Sequence, residues 1–492
     1  MDGFNLTDWC LEPGAADDLA LVVVDGADEV AGLDRATLRR EVDRLARALA
    51  AALPAGARVA LRMANSPAMA IAFFAAARAG MIAMPLSPQL TAAEVGGLIA
   101  DAEAGLLLTE APTDPALAGL AVPRLRPDDL EGAAPLPTLR PDDPVLLIYT
   151  SGTGGRPKGV LHAHRMALGR VPMRTGWLNL RPGDRVLHAG TLNWTYTLGV
   201  GLMDPLSVGA TAVLAQGTPD PGTWPALIER HRIDVFAAVP TVYRRLLKHG
   251  DPSLLRKAKL RYGVTAGEAL PAALWQAWRD ATGLELYEAL GMSEISTYVS
   301  SSPSVPTKPG SPGKPQAGRR VTLLDPESHE PFDQPARHGL LAIHRTDPGL
   351  CLGYWRRPEE DAAVRFGEWF AGGDLASFDA DGYLHYHGRA DDVMNALGVR
   401  TSPLEIEAVL ERHEAVQEVA VATTRNDEGV ELITAFVVPA EGVELDEADL
   451  RRFAGERLAA YKLPKRLVCV DRLPRTANGK VQRKRLQDLG GG

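Results

Sequence analysis

Residues 149–159, YTSGTGGRPKG, combine glycines, hydroxyl side chains and cations in one short stretch. Glycine lets backbone N–H groups converge on an anion, while hydroxyls and a lysine add donors and a mobile positive charge. The preceding apolar segment VLLIYT is predicted as a strand, and open α/β sheets bind ligands at the carboxyl ends of their strands. The sequence therefore predicts a phosphate-binding loop, formed by Thr150, Ser151, Gly152, Thr153, Gly154, Gly155 and Lys158.

Two common phosphate loops do not fit this segment. The GxxxxGK[ST] loop of nucleotide-binding ATPases needs a hydroxyl residue directly after its lysine, whereas Gly159 follows Lys158 here and Pro157 precedes it. The GxGxxG dinucleotide fingerprint does not fit either. Taken alone, the segment is also compatible with an ordinary glycine-rich surface turn.

The longer segment YTSGTGGRPKGVLHAH resembles the phosphate-binding signature of the adenylate-forming superfamily, YTSGTTGxPKGV, with Gly154 in place of the second threonine. This superfamily includes acyl-CoA synthetases, carrier-protein adenylation domains and luciferases. Five further segments are similar to its other signatures in the same order, so the resemblance extends over essentially the whole chain. They are AGEAL (266–270), YEALGMSE (287–294), GGDLASFDADGYLHYHGRADD (372–392), SPLEIE (402–407) and LPRTANGKVQRKRL (473–486).

The resemblance implies an ATP-dependent ligation in two steps. A carboxylate attacks the α-phosphate of ATP to give acyl-AMP and pyrophosphate, and a thiol then displaces AMP. Because the first step brings two anions together, cations and oriented donors are needed where negative charge develops. The implied residues, besides the loop, are Lys480 as the catalytic cation, Ser293 as a donor to the α-phosphate, Glu294 as the Mg²⁺ ligand, and Arg400 near the phosphates.

The resemblance also implies an adenosine site. Adenine would lie between the backbone near Gly267 and the segment 287–291, where Leu290 takes the place of an aromatic residue found in many relatives. Asp374 would bind the ribose hydroxyls with help from Arg389, as an acidic residue does in dinucleotide folds. The implied set is Gly267, Glu268, Ala269, Glu288, Ala289, Leu290, Gly291, Asp374 and Arg389.

The segment NWTYTLG is similar to FFAYGLG of benzoate–CoA ligases. Trp194 and Tyr196 would form a short pocket that excludes long chains, so a benzoate-like aryl acid is the first expectation and a short or branched aliphatic acid the alternative. Asn193 or Thr195 could contact a ring substituent, although a role in satisfying the backbone fits equally well. The implied acyl pocket consists of Asn193, Trp194, Tyr196, Ala266 and Gly291.

A lysine at the α-phosphate and an incoming thiol cannot approach from the same side. In this superfamily a small C-terminal domain rotates between the two steps, and the resemblance implies a hinge at Asp391. It also implies that Gly398 leaves the channel for the pantetheine arm of coenzyme A open, because glycine has no side chain. The expected cofactors and co-substrates are ATP, Mg²⁺ and coenzyme A.

The elements that must position these residues alternate between helix and strand, which is typical of an α/β sheet. Residues 34–51 have apolar residues at helical spacing behind Asp34 as N-cap, and predicted strands recur from ARVALRM to LRYGVTAG. Residues 300–320 are rich in proline and glycine and lead into a small β region. The predicted architecture is a large N-terminal domain of αβα sheets plus this β region, 1–390, followed by a small mobile α+β domain, 391–492.

Composition restricts the function classes. At 492 residues the chain is long enough for two domains, and a net charge of −9 argues against a nucleic-acid or membrane-surface partner. Three scattered cysteines argue against a disulfide framework and favour a reducing compartment. The apolar run 68–86 is interrupted by Arg78, Gly80 and Pro85, so a buried helix and strand are expected rather than a membrane span. Because no signal peptide is recognised, a cytoplasmic protein is expected. The sequence does not decide between a monomer and a homodimer.

Coenzyme A is the favoured acceptor because no carrier domain follows the Lys480 loop. A free-standing enzyme that loads a separate carrier protein is the closest alternative. A non-catalytic acyl or nucleotide sensor on the same fold is a rival of another class, and the presence of Lys158, Glu294, Asp374 and Lys480 argues against it. A luciferase-like oxygenase has no support beyond the shared fold.

Overall fold

The computed structural model describes residues 3–26, 28–150, 157–217, 219–390, 394–396, 399–401, 403–425, 431–458, 462–475, 481–483 and 485–486. The strands in chain order are β1 (Leu19–Asp25), β2 (Asp28–Asp34), β3 (Arg58–Arg62), β4 (Ile82–Pro85), β5 (Leu106–Thr109), β6 (Arg124–Leu125), β7 (Pro144–Thr150), β8 (Lys158–Ala163), β9 (Arg185–His188), β10 (Thr211–Ala215), β11 (Val235–Ala238), β12 (Tyr262–Ala266), β13 (Glu285–Met292), β14 (Ser296–Ser300), β15 (Lys314–Pro315), β16 (Val321–Leu324), β17 (Pro331–Phe332), β18 (Gly339–His344), β19 (Gly353–Tyr354), β20 (Arg365–Phe366), β21 (Trp369–Phe370), β22 (Asp374–Phe378), β23 (Leu384–Arg389), β24 (Met394–Ala396), β25 (Val399–Thr401), β26 (Val416–Arg425), β27 (Glu431–Pro439) and β28 (Arg466–Cys469).

The α-helices in chain order are α1 (Leu6–Leu11), α2 (Arg35–Ala52), α3 (Pro67–Arg78), α4 (Ala92–Ala102), α5 (Met166–Gly169), α6 (Val171–Gly176), α7 (Thr195–Leu198), α8 (Asp204–Leu206), α9 (Trp224–Arg230), α10 (Pro240–His249), α11 (Ala272–Thr282), α12 (Pro358–Ala362), α13 (Pro403–Leu410) and α14 (Glu447–Gly455). Between α7 and α8 the chain makes a π-helical turn, Gly199–Met203.

By its internal contacts the described chain falls into two compact units, residues 1–321 with 343–370, and residues 322–342 with 371–492. This division differs from the predicted boundary, because the hairpin of β22 and β23 belongs by contact to the second unit. The boundary itself stays a prediction, since Asp391 lies outside the described residues.

Two sheets build the first unit. The larger has nine strands in the order β15-β14-β13-β12-β11-β9-β10-β1-β2, and β1, β10, β9, β11, β12 and β13 run parallel. The second has the order β19-β8-β7-β4-β3-β5-β6, with β8 antiparallel to β7 and β19 antiparallel to β8. Because β9, β11, β12 and β13 are parallel, their carboxyl ends meet at one edge, which is where a ligand site is expected.

The main core of the first unit surrounds α2 and α3. Leu45 of α2 and Phe73 and Phe74 of α3 are fully buried in one cluster with residues of both β1 and β3, so the two helices pack between the sheets. The Asp34 carboxylate accepts from the Thr37 N–H and caps α2, as predicted. Helix α3 and strand β4 account for the apolar run 68–86, and no helix within the described ranges is long and apolar enough to cross a bilayer.

In the second unit, a three-stranded sheet of β26, β27 and β28 carries α13 and α14 on one face. Ile406 and Leu410 of α13 pack with Leu450 of α14 against the valines of β26 and β27. The same unit contains the hairpin of β22 and β23, whose first strand pairs with the start of β18. The predicted fold class, α/β with a large N-terminal and a small α+β C-terminal part, is confirmed.

Candidate active site

The predicted phosphate-binding loop joins β7 to β8. Thr150 and Lys158 stand opposite each other at the end of this antiparallel pair, so the loop closes a hairpin rather than leading into a helix. The strand before the loop is confirmed; its antiparallel partner β8 had no counterpart in the sequence analysis. Residues 151–156 lie outside the described residues, and the roles of Ser151, Gly152, Thr153, Gly154 and Gly155 stay predictions.

Lys158 has two partners at the start of β8. Its Nζ lies 3.2 Å from Glu360 Oε2 and 4.4 Å from the centroid of the Tyr354 ring. The lysine side chain is one fifth exposed and the Glu360 side chain is 43% exposed, so this ion pair is open to water. Exposed pairs of this kind are weak, and an incoming phosphate can therefore compete for the lysine.

Ser293 and Glu294 form the turn between β13 and β14, and three contacts from β8 and from residues 351–354 hold it. His162 Nε2 of β8 donates to the Ser293 carbonyl at 2.9 Å, and the Cys351 N–H donates to the Glu294 carbonyl at 2.7 Å. The Tyr354 hydroxyl donates to Glu294 Oε1 at 2.7 Å. Burial lowers the pKa of His162 to about 4, so the ring is neutral and the bond to Ser293 identifies Nε2 as its protonated nitrogen.

Ser296, just after this turn, has a left-handed backbone with φ of +75°, which is strained for a residue with a side chain. Arg170 Nη1 donates to Ser296 Oγ at 2.9 Å, and the same guanidinium grips the Asp204 carboxylate through Nε and Nη2 at 2.7 and 2.6 Å. Both charged side chains are almost fully buried. At Gly199 a Cβ would lie 1.9 Å from Arg170 Nη2, so the missing side chain makes room for the guanidinium.

Gly291 allows the hairpin of β13 and β14 to close tightly. A Cβ at this position would lie 2.3 Å from the Ser296 carbonyl oxygen and 2.6 Å from the Thr297 Cα. These are backbone atoms that cannot move aside easily. The glycine therefore sets the distance between the strands that flank Ser293 and Glu294.

The predicted adenine-binding segments come together at the ends of β12 and β13. Ala266 pairs with Ala289 in parallel register, and Gly267 then turns with φ of +91°. The Leu270 N–H donates to Glu288 Oε1 at 2.9 Å, which ties the turn after β12 to β13. The structure thus groups Gly267, Glu268 and Ala269 with Glu288, Ala289, Leu290 and Gly291, and their adenosine-binding roles stay predictions.

Glu288 is buried beneath this turn. Burial raises its pKa to about 8, and the hydrogen bond from the Leu270 N–H opposes part of that rise. The carboxyl group is therefore protonated at neutral pH. Its neighbour Glu268 accepts from Thr241 Oγ1 at 3.1 Å.

The aromatic residues of the predicted acyl pocket also group together. The rings of Trp194 and Tyr196 meet edge to face at 5.5 Å, and His188 meets Tyr196 edge to face at 4.4 Å. A Cβ at Gly267 would lie 3.4 Å from Trp194 Cη2, which puts this indole beside the adenosine turn. Asn193 Oδ1 accepts from the Thr191 hydroxyl, so this oxygen already has a side-chain partner within its own loop.

The remaining predicted residues lie in the second unit. Asp374 and Arg389 pair in register across β22 and β23, with Arg389 Nη1 at 3.7 Å from Asp374 Oδ1. The Tyr386 hydroxyl donates to the same oxygen at 3.2 Å. Arg400 lies on β25, but its side chain, like all of Asp391, Gly398 and Lys480, lies outside the description, and these four roles stay predictions.

Sequence reasoning missed several residues of this arrangement. His162 lies in the signature that follows the glycine-rich loop, where no role was expected for it, His188 lies in a segment predicted only as a strand, and Tyr354 is 60 residues from Glu294. Arg170, between α5 and α6, and Asp204, at the start of α8, are charged residues beside apolar ones, which is a local signal that could have drawn attention to them. Charged residues that are fully buried are nearly always paired.

Comparisons with known proteins agree with this geometry. Residues 15–355 match the family model described as AMP-binding enzyme, and residues 405–480 match that of its C-terminal domain. The chain is 32% identical to a 3-hydroxybenzoate–CoA ligase of Aromatoleum sp. (strain CIB), over 99% of this chain and 97% of that protein.

Two solved structures are similar over nearly their whole length. An anthranilate CoA ligase in complex with anthranoyl-AMP matches with a TM-score of 0.89 and 29% identity, covering 100% of this chain and 98% of that one. A benzoate CoA ligase from Burkholderia xenovorans LB400 matches with a TM-score of 0.86 and 29% identity, covering 98% of this chain and 100% of that one.

Proposed function

The chain belongs to the AMP-binding enzyme family, and from that premise we propose that it is a ligase for small aryl acids. It activates the acid with ATP as acyl-AMP, releases pyrophosphate, and transfers the acyl group to the thiol of coenzyme A. The reaction class follows from the family, whose similar members are named as CoA ligases. The choice of an aryl acid and the role of each residue are part of the proposal.

One observation carries the proposal: Lys158, Tyr354 and Glu294 form a connected group at the phosphate end of the first unit. The lysine lies over the tyrosine ring, and the tyrosine hydroxyl binds the glutamate. The lysine is held at the start of β8, and the Glu294 carboxylate, in the turn between β13 and β14, is held by the tyrosine of β19. Such preorganised charges are what the attack of a carboxylate on a phosphate requires.

In the first half-reaction, Lys158 leaves Glu360 and neutralises the β- and γ-phosphates of ATP. The Ser293 hydroxyl donates to the α-phosphate, and the turn that carries it is held in place by His162 and Cys351. Lys480, from the C-terminal segment, bridges the attacking carboxylate and the α-phosphate. Each of these groups lowers the barrier by stabilising charge that grows on the phosphate oxygens.

The donor set around Glu294 fits Mg²⁺. Within the described part of the chain no group of three or more acids, histidines or cysteines could hold a metal by itself. Glu294 therefore offers a single carboxylate. This is enough for Mg²⁺ on ATP, which is commonly bound by one or two carboxylates together with phosphate oxygens and water. The ion would draw charge from the phosphates, while Tyr354 orients the Glu294 carboxylate that faces it.

An aryl acid is favoured by the walls of the acyl pocket. Trp194 and Tyr196 stand against each other, and Trp177 stacks on Tyr196 with ring centroids 6.1 Å apart. Flat apolar rings of this kind bind another ring by offset and edge-to-face contacts. The relatives named above as 3-hydroxybenzoate, anthranilate and benzoate ligases give further support.

The proposal is tested with purified protein, ATP and Mg²⁺, and a panel of benzoates and short aliphatic acids, with and without coenzyme A. Pyrophosphate release should be largest with aryl acids, AMP should be the nucleotide product, and mass spectrometry should find the aryl-CoA. Formation of ADP would overturn the reaction class. A preference for aliphatic acids would overturn the aryl assignment alone, and acylation of a carrier protein in place of coenzyme A would overturn the acceptor.

A further inference from the structure

Two buried polar atoms near the carboxyl end of β9, His188 Nε2 and Thr197 Oγ1, have no hydrogen-bond partner among the residues that the structure describes. The Tyr196 hydroxyl beside them interacts with the Ala266 backbone and has no partner in good hydrogen-bond geometry. His188 is 2% exposed, Tyr196 6% and Thr197 1%. Buried polar groups are nearly always satisfied in native proteins, so this group of atoms points to a ligand that completes it.

The three residues belong to one place. His188 and Tyr196 touch edge to face, with ring centroids 4.4 Å apart. A Cβ at Gly190 would lie 2.8 Å from Thr197 Oγ1 and 3.2 Å from His188 Nδ1, so threonine and histidine flank the same glycine. Trp194, which packs on Tyr196, connects this place to the predicted acyl pocket.

Small side chains of the sheet lie beside these groups. Tyr196 packs on the face of the nine-stranded sheet where β11, β12 and β13 contribute Ala237, Ala266 and Ala289. His188 is in register with Ala237, at the carboxyl end of the neighbouring strand. Three alanines in adjacent strands thus give the sheet a flat apolar surface, against which the ring of the proposed substrate would lie.

The hydrogen-bonding state of His188 follows from its surroundings. Nδ1 accepts from the Gly190 N–H at 2.9 Å, so this nitrogen carries no proton. Burial lowers the pKa of His188 to about 3, and the ring is therefore neutral at physiological pH. The single ring proton must then be on Nε2, which is a buried donor in need of an acceptor.

We propose that the acid activated by this enzyme carries a ring hydroxyl, whose oxygen accepts a hydrogen bond from His188 Nε2 and meets the Tyr196 hydroxyl. The substrate class is thus a hydroxybenzoate rather than an unsubstituted benzoate, and His188 and Tyr196 determine that specificity. An apolar ring at this place would leave the imidazole donor buried and unpaired. This inference rests on the proposed function.

The experiment compares kcat/KM for 3-hydroxybenzoate, 4-hydroxybenzoate and benzoate in the coupled pyrophosphate assay with coenzyme A. Sites that hydrogen-bond a substrate hydroxyl discriminate strongly against analogues that lack it. We expect one hydroxybenzoate to exceed benzoate by about 10- to 100-fold in the wild type. His188→Leu and Tyr196→Phe should each bring that ratio close to unity, and His188→Gln, which retains a donor near the Nε2 position, should restore part of it.

His164 offers a matched control. It is also buried, its Nδ1 accepts the Leu6 N–H at 3.0 Å, and its Nε2 has no partner in the described chain, but it contacts α1 instead of the acyl pocket. His164→Leu should therefore leave the ratio as in the wild type, whatever its cost in stability.

A wild type that processes benzoate as well as both hydroxybenzoates would overturn the inference while leaving the proposed function intact. An unchanged ratio in folded Tyr196→Phe and His188→Leu would do the same, and Tyr196→Phe decides alone if the histidine variant does not fold. Failure of every aryl acid to release pyrophosphate would overturn the proposed function, and the inference with it.

Discussion

The two ends of the first unit's predicted site differ in how the protein holds their key groups. At the predicted phosphate end, the Ser293 and Glu294 carbonyls and the Glu294 carboxylate accept hydrogen bonds from His162, Cys351 and Tyr354, and His162 Nδ1 behind this turn lacks a partner among the residues described. At the predicted acyl end, His188 Nε2 and Thr197 Oγ1 are buried without a partner in the same part of the chain. The protein itself therefore fixes the turn that carries Ser293 and Glu294, whereas in our proposal the second region is completed by a group of the substrate.

In the proposed mechanism, one end of the site carries out the activation chemistry and the other end selects the acid. Phosphate activation is the same for every acid, so its donors can be fixed in advance and cost no reorganisation during the reaction. The acyl end must tell one acid from another, and unpaired buried groups do this by penalising the wrong ligand. Variants at the phosphate end should therefore slow all acids alike, and variants at the acyl end should change the ratio between acids.

The largest effect is expected for Lys480→Ala. Loss of the cation at the α-phosphate should reduce acyl-AMP formation by on the order of 10³-fold, equally for every acid. Thioester formation from presynthesised acyl-AMP should be spared, because that step does not need this charge. Pyrophosphate exchange measures the first step and a thiol-consumption assay the second; equal loss of both steps would contradict the assignment, and Asp391→Pro should show the opposite pattern.

The second largest effect is expected for Glu294→Gln. The amide keeps the shape of the side chain but removes the charge that faces Mg²⁺ in the proposed mechanism, so we expect a loss of about 10²-fold in kcat with each acid and a higher requirement for Mg²⁺. Glu359→Gln, on the exposed side of α12, removes an equal charge and should have no effect. A change in the ratio between hydroxybenzoate and benzoate in Glu294→Gln would break the distinction between the two ends.

The sequence predicted the parts of this site that are local. The glycine-rich loop at the end of β7 and the cap of α2 by Asp34 follow from short patterns of residue type, and the Ser293–Glu294 pair was recognised by its resemblance to a signature. The α/β fold class follows from the alternation of helices and strands.

What escaped prediction depends on long-range packing. Tyr354 reaches Glu294 because β19 pairs with the edge of β8. Strand β19 has only two residues, too few for a sequence pattern to indicate how it pairs. Arg170 lies between the short helices α5 and α6, and Asp204 begins α8, which has three residues; these elements are too short for a helical period to reveal which side chains face each other. The unpaired state of His188 is a property of its neighbours in space and has no signal in the chain.

Tyr354→Phe tests how much the fixed orientation of Glu294 contributes. Without the hydroxyl, Glu294 keeps its charge but loses its 2.7 Å hydrogen bond, and we expect about a tenfold loss in kcat that is the same for all acids. Tyr149→Phe is a matched control, because its hydroxyl donates to the Asp101 carboxylate at the same 2.7 Å. Both variants should lose similar stability in urea unfolding, and equal loss of activity in both would show that the effect is merely structural.

The last prediction concerns stability instead of activity, and it involves Glu288, which lies on β13 between the two ends. Its raised pKa, about 8, means that the native protein keeps a proton that the unfolded chain releases near pH 4.5. The unfolded state then binds fewer protons than the native state between pH 4.5 and 8, so the free energy of unfolding falls as the pH rises through this window. Glu288→Gln cannot titrate and should lose this dependence, becoming more stable than the wild type at pH 8.5, relative to pH 5, by roughly 4 kcal/mol.

Urea unfolding of the wild type and the variant at both pH values measures this difference. The buried histidines titrate in both proteins, so their contribution to the free energy of unfolding cancels when the two are compared at the same pH. Glu285→Gln on the same strand is the control, since its half-exposed carboxylate pairs with Arg279 at 3.1 Å. An identical pH dependence in Glu288→Gln and the wild type would contradict a protonated Glu288. The carboxyl would then be charged in the native state and would place a negative charge beneath the adenosine turn, so that the satisfied part of the site would end at Ser293 and Glu294.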